Sequence, residues 1–202
     1  MRRTKEQTAE TRRTILKSAE RLFLEQGYEN VSLDEIAAAS GLTRGAVHWH
    51  FHNKRGLLFA IRDETGLPIQ ELADRLSEGD GVAGLETLAD ITTRILGHLQ
   101  ADPGQRNLLR MLSRLDDAVS ADGADTNNDF SKKLETALVK IFAAVERAGG
   151  LRPPWTAASA ARAYNAAVSG LVNEWARGKV DFDLVPDADA IVRALLIAWR
   201  AQ

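Results

Sequence analysis

The chain has 202 residues, of which 45% are hydrophobic and 27% are charged, as in an ordinary globular protein. It contains no cysteine, which excludes disulfides, zinc–thiolate sites and thiol catalysis. Its apolar runs fall far short of the ~20 residues that span a bilayer, and no signal-peptide core follows the basic residues 1–5. Composition therefore predicts a cytoplasmic, globular protein with no membrane segment.

The charge is unevenly distributed along the chain. Residues 1–62 carry 11 Lys and Arg against 7 Asp and Glu, a net charge of +4. Residues 63–202 carry 15 against 21, a net charge of −6. A positive N-terminal part on a negative body is typical of a protein whose polyanionic partner binds at one end, although a basic arm also occurs as a solvated tail.

The first predicted element is an amphipathic helix over residues 8–26, in which apolar residues recur at spacings of three and four. Ser32 and Glu35 then form a capping box, because the hydroxyl can accept from an early backbone N–H while the carboxylate reaches back to the cap. This predicts a second, short helix, which Gly41 ends by taking a left-handed backbone conformation.

Thr43 caps a third helix that reaches about Phe51, and Asn53 can cap a longer fourth helix, which Pro68 breaks or kinks. Beyond it, apolar stripes predict helices at about 82–100, 104–117, 128–148, 156–178 and 187–201. No segment alternates in the manner of a strand. The sequence therefore predicts an all-α protein of about nine helices.

The second and third helices have the plan of a helix-turn-helix. Ala37 is small where the two helices cross, and Gly41 suits the tight turn between them. Leu42 and Val47 are apolar and can pack the third helix onto the second. In this plan the second helix of the pair enters the DNA major groove, although two short helices joined by a glycine turn also occur in proteins that do not bind DNA.

The segment GLTRGAVHWHFHNK at residues 41–54 resembles the recognition-helix signature of the TetR family of repressors, and ILKSAERLFLEQGYENVSLDEIAAASG before it resembles that family's first two helices. The similarity covers roughly residues 10–60, and the start RRTKEQTAETRRTIL resembles the AcrR-type, multidrug-efflux branch. The resemblance implies a DNA-binding domain over residues 1–55, linked by the fourth helix from about residue 54. It also implies a ligand-binding and dimerisation domain over residues 56–202.

The residue types at the start of the third helix suit contact with DNA. Arg44 can donate two hydrogen bonds to guanine O6 and N7, unless it is only a solvated surface arginine. Gly45 and Ala46 are small enough for the helix to approach base edges, and the Ala46 methyl can touch a thymine methyl. The hydroxyls of Ser32 and Thr43 lie at helix N-termini, where they suit phosphate oxygens.

The resemblance implies that Trp49, His50 and Lys54 lie against phosphates, to which Lys54 offers a flexible positive charge. Trp49 can alternatively fill the seam between helices. His48 stands where the family usually has tyrosine, so we expect operator affinity to be more acid-sensitive than in a tyrosine-bearing relative. His48 and His52 share a helix face, but two imidazoles without a third ligand make a weak metal site, and neither a metal nor another cofactor is predicted.

The last two predicted helices are rich in small and apolar residues. The first carries Val168, Leu171, Val172 and Trp175, and the second carries Ile191, Leu195, Ala198 and Trp199. The resemblance implies that both helices pair with their symmetry mates in the four-helix interface of a homodimer. The alternative is an intramolecular core.

Polar residues lie among apolar ones in several predicted interior helices, which is typical of a cavity for a drug-like or aromatic ligand. The resemblance implies an inducer pocket in this part of the chain. The candidate lining residues are Thr92, Ile95, Met111, Asn165, Val168, Ser169 and Val172. Each is also compatible with an ordinary core or surface position.

Together these patterns favour a repressor that binds a palindromic operator in double-stranded DNA as a homodimer and is released by a small hydrophobic or aromatic inducer. The resemblance implies an efflux pump as its target. The alternative is an activator or an architectural DNA-binding protein without an inducer; a non-specific DNA-compacting protein fits the acidic body poorly. No enzyme is predicted, because the chain lacks cysteine, a Gly-Xaa-Ser-Xaa-Gly elbow and a phosphate-binding loop.

Overall fold

The computed structural model of the protein describes residues 5–65, 67–77, 84–122, 128–178 and 181–201. These residues form ten α-helices and contain no β-strand, in agreement with the all-α prediction. In chain order the helices are α1 Lys5–Gln26, α2 Leu33–Ala39, α3 Arg44–Phe51, α4 Lys54–Thr65, α5 Leu67–Ser77, α6 Gly84–Ala101, α7 Pro103–Asp122, α8 Asn128–Arg147, α9 Ala157–Arg177 and α10 Asp189–Trp199.

The predicted fourth helix is two helices, which raises the count in the described ranges from nine to ten. Helix α4 ends at Thr65, and Pro68 lies in the first turn of α5, which begins at Leu67. A proline is tolerated in a first turn because the N–H that it lacks has no partner there, and its ring fixes a helical φ. Pro68 therefore begins a new helix instead of only kinking the old one.

Local capping sets the limits of α2 and α3. The Ser32 hydroxyl accepts from the Glu35 N–H at 3.2 Å, and the Glu35 carboxylate accepts from the Ser32 N–H at 2.8 Å. Gly41 has a φ of 67°, in the left-handed region. Thr43 Oγ1 accepts from the Ala46 N–H at 3.2 Å. The capping box, the glycine turn and the Thr43 cap are thus confirmed.

Helices α1–α4 form a head around one apolar cluster, whose largest fully buried side chains are Ile15, Phe23, Ile36, Val47, Leu57 and Leu58. Helix α7 closes this cluster, because Leu108 and Leu112 belong to it. Gly104 lies in the first turn of α7, beside α1. A Cβ at Gly104 would lie 2.9 Å from Leu24 Cδ2 and 3.0 Å from the Leu24 carbonyl oxygen.

Helices α5–α10 form the body, in which α5, α6 and α8–α10 surround a second apolar cluster and a third cluster lies between α6, α9 and the segment before α10. Helix α8 packs against both α5 and α9. The ring of Phe142 on α8 meets Tyr164 of α9 and Trp199 of α10, each with ring centroids 6.0 Å apart. These ring contacts join α8, α9 and α10 within the second cluster. None of the helices within the described ranges is long and apolar enough to cross a membrane.

Candidate functional site

The first turns of α3 project from the head. Val47 and Phe51 face inward and are buried, whereas Arg44, Gly45 and Trp49 face outward. Trp49 is 67% exposed, so the alternative in which it fills a seam between helices is wrong. The buried pair fixes the helix on the head, and the opposite side is left open to solvent. We call this open side, with Thr43, Arg44, Gly45, Ala46, His48 and Trp49, the α3 face.

Arg44 lies on the α3 face and is paired with a carboxylate. Its Nη1 donates to Asp34 Oδ2 of α2 at 3.2 Å, and both side chains are more than 60% exposed. A pair so open to water contributes little to stability, because solvent screens it. Asp34 therefore orients the guanidinium at low energetic cost, and Arg44 can exchange this partner for a base edge.

Gly45 and Ala46 leave the backbone of α3 open to close approach. A Cβ on Gly45 would meet only Thr43 Oγ1, at 3.9 Å, so nothing within the described chain requires a glycine at this position. Ala46 is half-buried beside it. The absence of a side chain at Gly45 thus has no explanation in the packing of the head itself.

The hydroxyls of Ser32 and Thr43, which cap α2 and α3, differ in whether their proton is already in a hydrogen bond. The Ser32 hydroxyl donates to Glu35 Oε2 at 2.7 Å, so its proton is already used inside the capping box. Thr43 Oγ1 accepts from the backbone, and no acceptor among the described residues takes its own proton. Of these two predicted phosphate contacts, Thr43 is the one with a donor available.

Lys54 is held by the head, which corrects the expectation of a flexible charge. Its Nζ donates to the carbonyl oxygens of Tyr28 at 2.7 Å and Glu29 at 3.2 Å, and lies 4.4 Å from the centre of the Tyr28 ring. Those carbonyls belong to the short 3₁₀-helix Tyr28–Asn30. Lys54 therefore ties the start of α4 to the segment between α1 and α2.

The histidines of α3 are spread over its last turns. His48 and His52 are exposed with ring centroids 5.8 Å apart, and His52 Nδ1 lies 3.1 Å from the His48 carbonyl oxygen. His50 is half-buried and packs edge-on against Trp49 at 4.6 Å. Within the described ranges no three His, Cys, Asp or Glu side chains form a group that could hold a metal ion.

An inner pocket of about 360 Å³ lies between the head and the body. Its walls come from α1 and α4–α9 and are mostly apolar. The predicted residues on these walls are Thr92, Ile95, Val168, Ser169 and Val172. Two predicted residues lie elsewhere. Met111 packs against the apolar cluster of the head, and Asn165 accepts from Ser169 Oγ at 3.4 Å on α9, outside the pocket lining.

The pocket also contains a buried polar pair that sequence reasoning missed. Tyr164 and Thr92 are each 2% exposed, and their hydroxyls are hydrogen-bonded. The single Thr92 proton goes to the Leu88 carbonyl oxygen at 2.8 Å, so Tyr164 must donate to Thr92. Burial raises the pKa of the Tyr164 hydroxyl above its usual range, which keeps this donor proton in place.

Glu20, Arg62 and Gln105 also line the pocket and were missed. Gln105 is only 7% exposed, and its Nε2 donates to Glu20 Oε1 at 3.4 Å. Arg62 Nη2 donates to Asp63 Oδ1 at 3.1 Å. These side chains come from α1, α4 and α7, so no periodicity within one helix could have grouped them.

One side of α9 and α10 faces outward with small or apolar residues. On α10, Ile191 is 47% and Ile197 is 72% exposed. Exposed small residues accompany them, namely Ala158, Ala166 and Gly170 on α9 and Ala194 and Ala198 on α10. Trp199, expected on this side, is instead buried and lies 4.8 Å from the ring of Trp155.

Comparison with known proteins gives consistent matches over the whole chain. The family described as "Bacterial regulatory proteins, tetR family" matches residues 15–61. The transcriptional repressor BepR of Brucella suis is 30% identical over 203 residues, which is 100% of this chain and 97% of that protein. The transcriptional regulator TtgR of Pseudomonas putida is 29% identical over 94% of this chain and 91% of its own length.

A solved structure adds the fold to this similarity. It is NalD, the secondary repressor of the MexAB-OprM multidrug efflux pump in Pseudomonas aeruginosa, which is 33% identical to this chain. The match covers 98% of this chain and 100% of that one, with a TM-score of 0.62. The sequence and the helical architecture therefore point to the same group of proteins.

Proposed function

Because this chain belongs to the TetR family of bacterial transcriptional regulators, which are not enzymes, we propose that it represses transcription by binding a near-palindromic operator as a homodimer. One observation carries the proposal: the α3 face is exposed, carries an arginine beside a glycine, and stands on a helix whose other side is buried. A helix placed in this way can enter a major groove without disturbing the head.

Within this proposal each α3 residue has a role. Arg44 leaves Asp34 and donates to a guanine, while Gly45 and Ala46 let the helix lie close to the bases. Thr43, His48, Trp49 and His50 contact phosphates, with Ser32 beside them at the start of α2. Lys54 attracts a phosphate and also fixes α4 through its two carbonyl partners.

The outward side of α9 and α10 supports the dimer. Ile191 and Ile197 are large apolar side chains that a solvent-facing helix seldom exposes together, and the small residues beside them allow another helix to approach closely. A dimer also presents two α3 helices to two half-sites. We propose residues 1–55 as the DNA-binding domain and residues 56–202 as the domain that dimerises and binds a ligand.

The inner pocket supports release by a small hydrophobic or aromatic molecule. Its apolar walls and the Thr92–Tyr164 pair match a ligand of that kind with one hydrogen-bond donor, because the Tyr164 oxygen still has free lone pairs. A coupling of about 1–3 kcal/mol between ligand and operator would weaken operator binding some 5–150-fold. The similarity to NalD, a repressor of a multidrug efflux pump, makes an efflux-pump gene the proposed target.

Footprinting on the DNA upstream of this gene and its neighbours tests operator binding. We expect one protected region of two half-sites about 10 base pairs, or a multiple of that, apart. Arg44→Ala should lower affinity about 5–150-fold and relax base choice at one position per half-site, because a bidentate contact is lost. Arg152→Ala, at an exposed arginine of the body, is the control. A monomeric protein, or one that protects nothing at low ionic strength, would contradict the proposal.

The pocket is tested with N-phenyl-1-naphthylamine, a neutral aromatic probe that fluoresces when it is buried. Val172 lies on the pocket wall, and Val172→Trp places an indole where the probe should bind. We expect probe affinity to fall roughly tenfold or more, because overpacking costs about 1–3 kcal/mol. Equal probe affinity for the unmodified protein and for Val172→Trp would mean that the probe binds outside the inner pocket.

A further inference from the structure

A second cavity of about 560 Å³ opens on the surface between α1 and α4 of the head and α5 and α6 of the body. We call it the head–body cleft. Its apolar lining includes the buried side chains of Leu16, Ile61 and Ile91. The cleft and the inner pocket share part of one wall, to which Ile95 and Leu99 of α6 belong.

The rim of the cleft carries cations without counterions. Lys17 of α1 and Arg94 of α6 are both exposed and both line the cleft. Neither has an ion pair or a side-chain hydrogen bond within the described part of the chain, whereas other charges on the rim are paired. Glu64 accepts from Arg12 at 3.0 Å, and Arg13 donates to Glu10 at 3.2 Å.

A second carboxylate, Glu20, and an imidazole, His98, also line the cleft. Glu20 is half-buried and is engaged by Gln105, at 3.4 Å, on the side of the inner pocket. Lys17 and Arg94 carry two positive charges against the one negative charge of Glu20, which the neutral amide of Gln105 does not cancel. The cleft therefore keeps a positive surplus of one above an apolar floor. That combination matches a molecule with an apolar body and an anionic group.

We propose that the head–body cleft is a second ligand site, distinct from the inner pocket, which binds organic anions such as aromatic carboxylates and sulfonates. The apolar body of the ligand lies on Leu16, Ile61 and Ile91. Its anionic group lies between Lys17 and Arg94. Because these two cations stand on the head and on the body, a bound anion bridges the two parts.

The effect of this bridge on operator affinity rests on the proposed repressor function. An anion held between α1 and α6 favours one arrangement of head and body over others. It therefore changes operator affinity only if the arrangement it favours differs from the DNA-bound one. Binding of the anion is measured without DNA. A cleft that binds no anion and a protein that binds no operator are therefore separate results.

Two probes with the same rings separate the sites. 8-Anilinonaphthalene-1-sulfonate carries the sulfonate that N-phenyl-1-naphthylamine lacks, and both are titrated by fluorescence. Lys17→Met and Arg94→Met should each weaken sulfonate binding roughly three- to fivefold, since each removes one partly screened ion pair. The neutral probe should bind all these proteins equally. Arg152→Met, which removes an exposed positive charge that lines neither the cleft nor the inner pocket, should change neither affinity.

Two further measurements complete the test. In the unmodified protein, sulfonate affinity should fall as salt is raised from about 20 to 200 mM while neutral-probe affinity does not, because salt screens an exposed ion pair. Val172→Trp should leave a sulfonate site in place. The proposal is overturned if both cation variants bind the sulfonate normally, if they weaken both probes alike, or if Val172→Trp abolishes sulfonate binding.

Discussion

The α3 face takes its residues from positions 43–49, whereas the walls of the inner pocket come from seven helices between α1 and α9. On the face, side chains are exposed and their orientation is set by caps and by one open ion pair. In the pocket, most side chains are buried or half-buried, and their orientation is set by packing from several directions. One surface is therefore specified locally and the other by the whole fold.

This difference separates two kinds of sensitivity. Apart from the Thr43 cap and the half-buried Ala46, a substitution on the α3 face should alter binding while the protein keeps its stability, since the side chain contacts mainly solvent in the free protein. A substitution behind the face or in the pocket wall should cost stability, because it creates a clash, a cavity or an unpaired polar group. The following variants test that separation, in order of decreasing effect.

Gly56→Ala should have the largest effect on the head. A Cβ at Gly56 would lie 2.6 Å from the carbonyl oxygen of Phe51, the last residue of α3. Because a backbone oxygen cannot rotate away, α3 and α4 must move apart, and we expect unfolding free energy to fall by up to about 3 kcal/mol. Urea denaturation measures the loss. Gly45→Ala, where the nearest atom is 3.9 Å away, is the matched control.

The same contrast between local and long-range contacts explains which features could be predicted from the sequence. The capping box of Ser32 and Glu35, the left-handed Gly41 and the Thr43 cap depend on neighbours within four residues, and all were predictable. The partner of Lys54 was not, because the Tyr28 carbonyl lies 26 residues away and backbone acceptors leave no mark in a sequence. The expectation that Lys54 carries a flexible charge was accordingly wrong.

The pocket was harder to predict for a related reason. Tyr164 fits an apolar stripe of α9, and nothing near it indicates that Thr92, 72 positions earlier, receives its proton. Met111 fits an apolar stripe as well, but α7 faces both the head and the pocket, and Met111 points to the head. Periodicity finds the buried side of a helix but does not say which of two neighbours covers it.

Thr92→Val should destabilise the body more than Tyr164→Phe does. The valine leaves the buried Tyr164 hydroxyl without its acceptor, which costs about 2 kcal/mol. The phenylalanine removes only one accepted bond of Thr92, which still donates to Leu88, at a cost of about 1 kcal/mol. Thermal and urea unfolding measure both. Equal losses would show that Tyr164 has another partner in the pocket, and the donor direction assigned here would be wrong.

Gly45→Ala should separate stability from operator binding. The helix gains about 0.5–1 kcal/mol at most from losing a glycine, since the added Cβ meets no atom closer than 3.9 Å. If the backbone of α3 approaches the bases, the same methyl should weaken operator binding about fivefold, at the lower end of overpacking costs. Urea unfolding and a gel shift on the footprinted site measure the two effects. Unchanged operator affinity would mean that this glycine does not face the DNA.

Glu35→Gln should have the smallest effect, and a dependence on pH identifies it. The Ser32 hydroxyl and then the Ser32 N–H, donating at 2.7 and 2.8 Å, hold the pKa of the Glu35 carboxyl below its usual value near 4.5. A carboxyl whose pKa is lowered by folding adds stability above its unfolded pKa, and this addition is lost as pH falls through the folded value.

The difference in unfolding free energy between the unmodified protein and Glu35→Gln should therefore be constant near neutral pH and shrink below about pH 4.5. Urea titrations at pH 7, 5, 4 and 3 measure it. Ser32→Ala should make this difference vary less with pH, because it removes the hydroxyl, the stronger of the two donors to the Glu35 carboxylate. A difference that grew with acid would mean that Glu35 is stabilised in its protonated form. The capping box would then hold α2 through the neutral acid, and its charge would contribute nothing to the head.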